Sequence, residues 1–284
     1  MREYELIKNL FSDIKDLFKS DAQIIEINGE KCGITCDDFS LKEDFFTDKD
    51  PYTLGSNLVV ATISDLYATG CKPSFYEHSI IFPKNKNYKW CEELAEGIKD
   101  TIRRVDCTLV GGDTGYGKEF KYTGIALGKQ EICISRVFPK IDQDLYVTGN
   151  LGDANEAIIK FRPTPKFELR NLPGSALSAI DTSGGFIDAL WLLHEINPDF
   201  RIEVENPPCK DISYLFGGAG EYEILFTSDE ECSDAIKIGK VIPNRKGVFL
   251  NGIELQTAPP DPRSYRFLPL YIFDVWKAAK RFRV

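Results

Sequence analysis

Apolar residues recur at helical spacing at the start of the chain. Leu6, Ile7, Leu10, Phe11, Ile14, Leu17 and Phe18 share one stripe, which predicts an amphipathic helix. The period then drops to two. AQIIEIN and KCGITC alternate on either side of Asn28-Gly29, the signature of a tight β-hairpin. Asp50-Pro51 supplies a cap and a first-turn proline, so a helix is predicted over 51–70, stopped by Gly70. A strand is expected at 74–83, a helix at 87–105, and strands at 107–112, 120–128 and 144–149. Beyond a linker near Pro139 the pattern predicts a helix at 185–196, strands at 200–205 and 222–227, and a short helix after Ser228. Strands at 236–242 and 247–255 complete it. Helices and strands alternate, yet several neighbouring strands read as hairpin-joined. The expected class is therefore α/β with mixed α+β layers, as two domains, 1–138 and 139–284. No fixed-period repeat occurs. The stretch after Leu255 is proline-rich and then aromatic and basic, and no element is assigned to it.

The 284 residues suffice for one large domain or two ordinary ones. Hydrophobic residues make up 43% and charged residues 28%, as in a globular protein. A net charge of −9 argues against a nucleic-acid or anionic-membrane partner, since phosphate backbones are held by lysine and arginine patches. The charged opening segment lacks the apolar core of an export signal, and no apolar run reaches the ~18–20 residues that span a bilayer. A cytoplasmic location is expected. Eight scattered cysteines without a C-x-x-C pair read as reduced thiols, mostly in the core. The only histidines, His78 and His194, give no support to a zinc site or to a histidine-activated nucleophile.

The candidate chemistry lies in the carboxylates. LVGGDTGYGKEF, at 109–120, almost spells a phosphate loop. However, Glu119 stands where a magnesium-binding hydroxyl is needed, and a strand pattern follows where a helix should open. Asp113 is thus expected in a glycine-rich turn. Asp65 lies within the almost wholly apolar LVVATISDLYATG, where an unpaired buried charge is costly. Asp37 and Asp38 are expected to end the strand GITC, with only one pointing inward. Asp181 precedes a helix in AIDTSGGF, where a cap would also account for it. Together these acids form a set of hard oxygen ligands suited to magnesium and a phosphate substrate.

SDLYATGCKP at 64–73, LVGGDTGYG, LYVTGNLGDA, RPTPK at 162–166, GGAGEYEILFT at 217–227 and IGKVI occur in an order and spacing that carry a resemblance. The chain resembles the thiamine-monophosphate kinase family. More distantly it resembles the superfamily that contains aminoimidazole ribonucleotide synthetase, selenophosphate synthetase and a hydrogenase maturation protein. The likeness runs from about residue 5 to 255. It implies aminoimidazole ribonucleotide synthetase-like N- and C-terminal domains, with ATP and Mg2+ as cofactors and a homodimer formed through the N-terminal sheet. Carried over by position, Asp21, Asp37, Asp65 and Asp113 would bind the metal. Gly111, Gly112, Asp113, Thr114 and Arg136 would hold the nucleotide, and Asp181 and Arg136 would serve catalysis. Asp44, Phe45 and Tyr222 would meet the substrate.

Several family positions differ. The N-terminal G-D-D is Lys19-Ser20-Asp21, and the histidine of the H-F pair is Asp44. D-x-S-D-G is Asp181-Thr182-Ser183-Gly184-Gly185, without its second aspartate. G-G-E-D-Y-E-L is Gly218-Ala219-Gly220-Glu221-Tyr222-Glu223-Ile224, with one acid lost and another lengthened. The leading expectation is an ATP- and magnesium-dependent phosphotransferase acting on a small phosphorylated metabolite, foremost thiamine monophosphate. The alternatives are a nucleotide-binding homologue with lost or weak turnover, and an ATP-dependent ligase or activating enzyme.

Overall fold

The computed structural model describes residues 3–14, 16, 18–41, 47, 49–260, 265 and 268–282. In chain order the elements are α1 (Glu3–Leu10), β1 (Gln23–Ile27), β2 (Glu30–Ser40), α2 (Pro51–Ala68), β3 (Cys71–Pro83), α3 (Tyr88–Arg104), β4 (Thr108–Gly117), β5 (Lys121–Gln130) and β6 (Gln143–Val147). They continue with α4 (Asp153–Ile159), β7 (Ser178–Asp181), α5 (Phe186–Ile196), β8 (Phe200–Val204), β9 (Ile224–Ser228), β10 (Ile236–Pro243), β11 (Gly247–Leu250), β12 (Ile253–Glu254) and α6 (Leu268–Ala279). This is a mixed α/β chain with two sheets. It forms two compact units, neither continuous in sequence. Residues 22–133 and 156–172 make one, and residues 1–21, 134–155 and 173–284 make the other. The main crossing, at 133/134, lies close to the expected linker at Pro139. Among the described residues no helix is long and apolar enough to cross a membrane.

The first of these units is built on a five-stranded sheet of order β1-β2-β5-β3-β4. All its pairs are antiparallel except β3 with β4. The Asn28-Gly29 hairpin forms as expected, with φ of 52° and 83° at its two central residues, the left-handed pair that such a turn needs. α2 is apolar all round because it is covered on several sides. Leu58, Val59, Val60, Ile63 and Leu66 are essentially inaccessible. Asp50 starts the helix by accepting from the Thr53 amide (3.0 Å) and hydroxyl (2.7 Å). α3 lies on α2 through two glycines. A Cβ at Gly55 would stand 2.1 Å from the Leu94 carbonyl oxygen, and one at Gly97 would stand 2.0 Å from that of Tyr52. Asn57, buried within α2, pins the segment 165–167. Its amide donates to the Pro165 carbonyl (2.8 Å) and its oxygen accepts from the Phe167 amide (2.9 Å).

The second unit is built on a seven-stranded sheet of order β12-β11-β8-β10-β6-β9-β7, antiparallel apart from the β11–β8 pair. Buried Asn155 holds the loop after a 3-10 turn (Ile212–Phe216). It donates to the Tyr214 and Ala219 carbonyls (2.8 and 2.7 Å) and accepts from the Ala219 amide (3.1 Å). The stretch left unassigned in the sequence contains α6, whose Tyr271, Val275 and Ala279 are buried.

Five local expectations are corrected. The opening helix ends at Leu10, not Phe18. Asp16 and Phe18 take positive φ of 61° and 70°, and the chain turns so that the Lys19 carbonyl accepts from the Arg136 amide (2.7 Å). Residues 111–114 are not a turn but the middle of β4, paired with Glu77 to Ile80 of β3. Asp37 and Asp38 do not end their strand, since β2 runs on to Ser40. No helix follows Ser228; its hydroxyl accepts from the Glu230 amide (3.0 Å), and the chain turns instead. All eight cysteines are free, but only Cys71 and Cys232 are buried, so the thiols are not mostly core residues.

The α2–α3 contact leaves no room for a side chain at position 97. Gly97→Leu is expected to lower stability by about 3 kcal/mol or more, as overpacking at a backbone contact does. Urea denaturation followed by circular dichroism measures it, and an unchanged midpoint would show that the helices can move apart.

Candidate active site

In the seven-stranded unit three of the expected residues come together: Asp21, Arg136 and Asp181. Asp21 follows the turn after α1. Its carboxylate is almost fully buried and pairs with the Arg136 guanidinium. Arg136 is fixed along its backbone. Its amide donates to Lys19, its carbonyl accepts from the Asn197 side chain (2.8 Å), and its guanidinium also reaches the Phe18 carbonyl (3.4 Å). Asp181 is the last residue of β7 and is 3% exposed. One of its oxygens accepts from the Ser183 amide and hydroxyl (3.2 and 2.8 Å), an Asx-type turn that leads the chain into α5. Asp21 and Asp181 each bring a carboxylate oxygen within 4.8 Å of the other.

Asp21 feels both the burial and its two charged neighbours. Burial pushes Asp21 up to about 6, the Arg136 charge pulls it down, and Asp181 raises it again. Desolvation is the largest of these effects, as expected for a carboxylate with almost no water contact. Among the described residues Asp21 Oδ2 has no hydrogen-bond partner, nor does the hydroxyl of fully buried Thr182 in the adjacent turn. An unsatisfied buried carboxylate oxygen is expensive. A hard cation satisfies it, and an all-oxygen donor set is what magnesium prefers.

The loop 218–224 closes on the 181–185 turn. The Gly220 amide donates to the Ser183 carbonyl (3.1 Å), and the Thr182 amide donates to that of Glu223 (2.9 Å). A Cβ at Gly220 would lie 1.4 Å from the Thr182 carbonyl oxygen. The acid absent at position 220 is thus replaced by backbone packed against backbone. Glu221 turns inward and accepts from the Ala154 amide (2.7 Å) at the start of α4. Burial pushes it up to about 7, against the pull of the Ala154 and Gly152 amides. Glu223 accepts from the Thr148 hydroxyl (2.5 Å). Tyr222, between them, is half-buried with φ of 59°.

The other expected residues lie in the five-stranded unit. Asp65, on α2, accepts a 2.5 Å hydrogen bond from the Thr35 hydroxyl of β2. Asp37 lies two residues along β2, on the sheet face that α2 covers, where its charge raises the pKa of buried Tyr76 and Tyr122. Their hydroxyls bond to each other, and Tyr76 donates to Thr62 (3.1 Å). Asp113 sits on the opposite face. The register aligns it with Ser79, Thr123 and Asp38 in one polar row across four strands. Its carboxylate is exposed and accepts from the Thr114 amide (2.9 Å). Within this unit Asp113 therefore does not share a face with Asp37 and Asp65. Gly112 packs on His78, where a Cβ would come within 2.7 Å of the His78 carbonyl oxygen, whereas a Cβ at Gly111 would meet only Glu77 Oε1, at an ordinary contact distance of 3.8 Å. Asp44 and Phe45 lie outside the described residues.

Asn57, Asn155, Glu221 and Glu223 were not singled out from the sequence. Asn57 carried the same signal as Asp65, a polar residue inside an apolar helix. The two glutamates flank Tyr222 in the GGAGEYEILFT motif, where alternation along an extended chain would turn them to the same side.

Known proteins resemble this chain in both sequence and architecture. Residues 19–130, which include Asp21, Asp37, Asp65 and Asp113, match the family described as AIR synthase related protein, N-terminal domain. The thiamine-monophosphate kinase of Archaeoglobus fulgidus is 27% identical over 283 residues, covering 88% of this chain and 92% of that protein. Over nearly its full length the chain is thus similar to a thiamine-monophosphate kinase, and its N-terminal part to the AIR synthase related proteins. The fold of AaThiL, solved complexed with AMPPCP and TMP, matches with a TM-score of 0.76 at 20% identity, over 90% of this chain and 94% of that one. Thiamine monophosphate kinase from Aquifex aeolicus matches with a TM-score of 0.72 at 20% identity, over 89% and 99%. The 181–185 turn and the 218–224 loop are two of the four places where the sequence differs from the motifs of the family it resembles, with Lys19-Ser20-Asp21 and Asp44 the others.

Glu221 generates a pH prediction. Its carboxyl binds a proton more tightly in the folded than in the unfolded chain. It therefore opposes folding as pH rises from its unfolded value, about 4.3, towards about 7. The slope is at most ~1.4 kcal/mol per pH unit. Glu221→Gln is expected to be less sensitive than the parent over that window, in thermal melts taken between pH 4 and 8. Parallel curves for the two proteins would show that the carboxyl titrates normally.

Proposed function

We propose that this chain is an ATP- and magnesium-dependent phosphotransferase that phosphorylates thiamine monophosphate. The observation that carries the reading is the buried Asp21–Arg136–Asp181 cluster, with its unpartnered Asp21 oxygen, in a chain that matches a thiamine-monophosphate kinase over nearly its full length. In the reaction a phosphate oxygen of the acceptor attacks the γ-phosphorus of ATP. A new phosphoanhydride forms, and the bond to the ADP oxygen breaks. Such transfer needs positioning and charge neutralisation rather than a covalent nucleophile, which fits a site without histidine or cysteine. Asp21 and Asp181 are the residues that would hold magnesium in the seven-stranded unit. A bound magnesium ion supplies positive charge against the phosphate oxygens. Arg136 orients Asp21 and keeps it ionisable despite burial. In the five-stranded unit Asp37 and Asp65 are the proposed acidic contacts to metal or nucleotide on the face that α2 covers, and Asp113 is a separate proposed contact on the opposite face, with Gly111, Gly112 and Thr114 around the phosphates. Tyr222 is the proposed substrate contact. Asp65 is the best prepared of the acids, because Thr35 already fixes one of its oxygens.

A second copy of this chain is the proposed partner. The sheet face that α2 and α3 leave uncovered carries Ile27, Ile34, Phe75, Ile81 and Ile125, each more than a third exposed. Exposed apolar side chains on both sides of the polar Asp38–Thr123–Ser79–Asp113 row suit an association surface, and two-fold pairing is the commonest way to close one. Ile125→Lys is expected to shift the protein from dimer to monomer in light scattering coupled to gel filtration. A monomeric parent protein would remove the proposal.

Turnover is tested by following thiamine diphosphate formation with ATP and magnesium. Asp181→Asn is expected to lower kcat at least ~100-fold, the equivalent of about 2.7 kcal/mol of transition-state stabilisation. Asp113→Asn should abolish magnesium-linked AMPPCP binding in calorimetry while the chain stays folded. If the parent binds the analogue but forms no product, the reading changes to a nucleotide-binding homologue without turnover, which the missing acids at Gly184 and Gly220 would explain.

A further inference from the structure

The family motif that begins at Asp181 lacks its second aspartate, because position 184 is glycine. That place is not devoid of charge. A Cβ built on Gly184 would stand 2.8 Å from Oδ2 of Asp188 and 3.5 Å from its Cγ. The carboxylate of Asp188, in the first turn of α5, thus lies where the first atoms of a side chain at 184 would be. We propose that Asp188 supplies, from one helical turn further on, the carboxylate that position 184 lacks, and that it acts on the magnesium–nucleotide complex. The proposal rests on the phosphotransferase reading of the same site.

Three observations support it. Gly184 and Ser183 are exposed, and Asp188 is half-buried, so the carboxylate borders solvent rather than the core. The turn that brings it there is fixed at both ends: Asp181 accepts from Ser183, and the Gly185 amide donates to the Thr182 carbonyl (2.8 Å). The same turn carries the buried, unpartnered Thr182 hydroxyl and follows Asp181, whose carboxylate lies close to that of Asp21. Asp188 is not among the carboxylates grouped within 4.8 Å. Its role is therefore assigned to the water shell of the cation, accepting hydrogen bonds from metal-bound water. Magnesium retains several such waters, and an outer-shell partner of this type is worth ~10–100-fold in metal affinity or activity. Asp188 would be a positioning residue in this scheme, acting through metal-bound water and not as a ligand.

The test compares the parent, Asp188→Asn and the double variant Gly184→Asp/Asp188→Asn. Two readouts are used: magnesium-dependent AMPPCP binding by calorimetry, and the magnesium concentration for half-maximal turnover. Asp188→Asn is expected to raise both magnesium constants about tenfold with an unchanged melting temperature. The double variant is expected to recover most of that loss, because the carboxylate returns to position 184. Asp188→Ser, a residue that the first turn of a helix accepts, replaces Asp188→Asn if that chain does not fold. Magnesium constants within twofold of the parent in a folded Asp188 variant overturn the proposal. So does a loss that the double variant fails to restore, which marks Asp188 as a helix-capping residue only. A parent protein that binds no magnesium–AMPPCP fails the phosphotransferase reading itself, and Asp181→Asn, run alongside, separates that outcome from a failure confined to Asp188.

Discussion

A carboxylate with almost no access to water needs a positive charge beside it, and in the seven-stranded unit Arg136 is that charge for Asp21. Many details of the unit follow from keeping the pair in place. The chain turns sharply after α1, with left-handed residues at 16 and 18, so that Lys19 and Phe18 can present carbonyls to Arg136. Asn197, at the end of α5, grips the Arg136 carbonyl and the Phe138 amide (2.8 and 2.9 Å). Breaking a buried ion pair by removing one partner is far more harmful than never having built it. The arrangement therefore constrains three separate stretches of chain at once. The orphaned second oxygen of Asp21 is what converts a structural pair into a candidate ligand.

The five-stranded unit solves a different problem, that of fitting two helices and a sheet closely enough to exclude water. Glycines at 55 and 97 let α2 and α3 approach backbone to backbone. Gly124 allows Thr62 and Tyr76 to meet over the sheet, since a Cβ there would come within 2.1 Å of the Thr62 hydroxyl. The polar groups enclosed by this packing satisfy one another: Thr62 with the Leu58 carbonyl (3.0 Å) and Tyr76, and Asn57 with the segment 165–167. Buried polar groups matched in this way favour one arrangement over its competitors.

Much of the fold was legible because its signals are local. The Asn28-Gly29 hairpin, the Asp50 cap and the amphipathic α3 are each dictated by a few adjacent residues. The misreadings share a cause. Residues 111–114 look like a turn because glycines dominate them, yet the ladder to β3 draws them into a strand, and tertiary pairing overrides local preference. Helix α6 was hidden because its apolar face is defined by the loop at 214–218, to which Tyr271 is tied through the Gly218 amide (2.5 Å). At the candidate site the identities of the acids could be read, but their faces could not. Asp37 and Asp113 look alike in sequence, and only strand register shows that they point to opposite sides of one sheet. The role of Asp188 was invisible for the same reason, since nothing in a linear motif says that a residue four positions on folds back over a glycine.

The contact between Gly220 and the Thr182 carbonyl has a historical consequence. Once a chain has drawn these two backbones together, no single substitution at 220 can return an acid to that position, because even a methyl group has nowhere to go. Restoring it would require the neighbouring turn to retreat first.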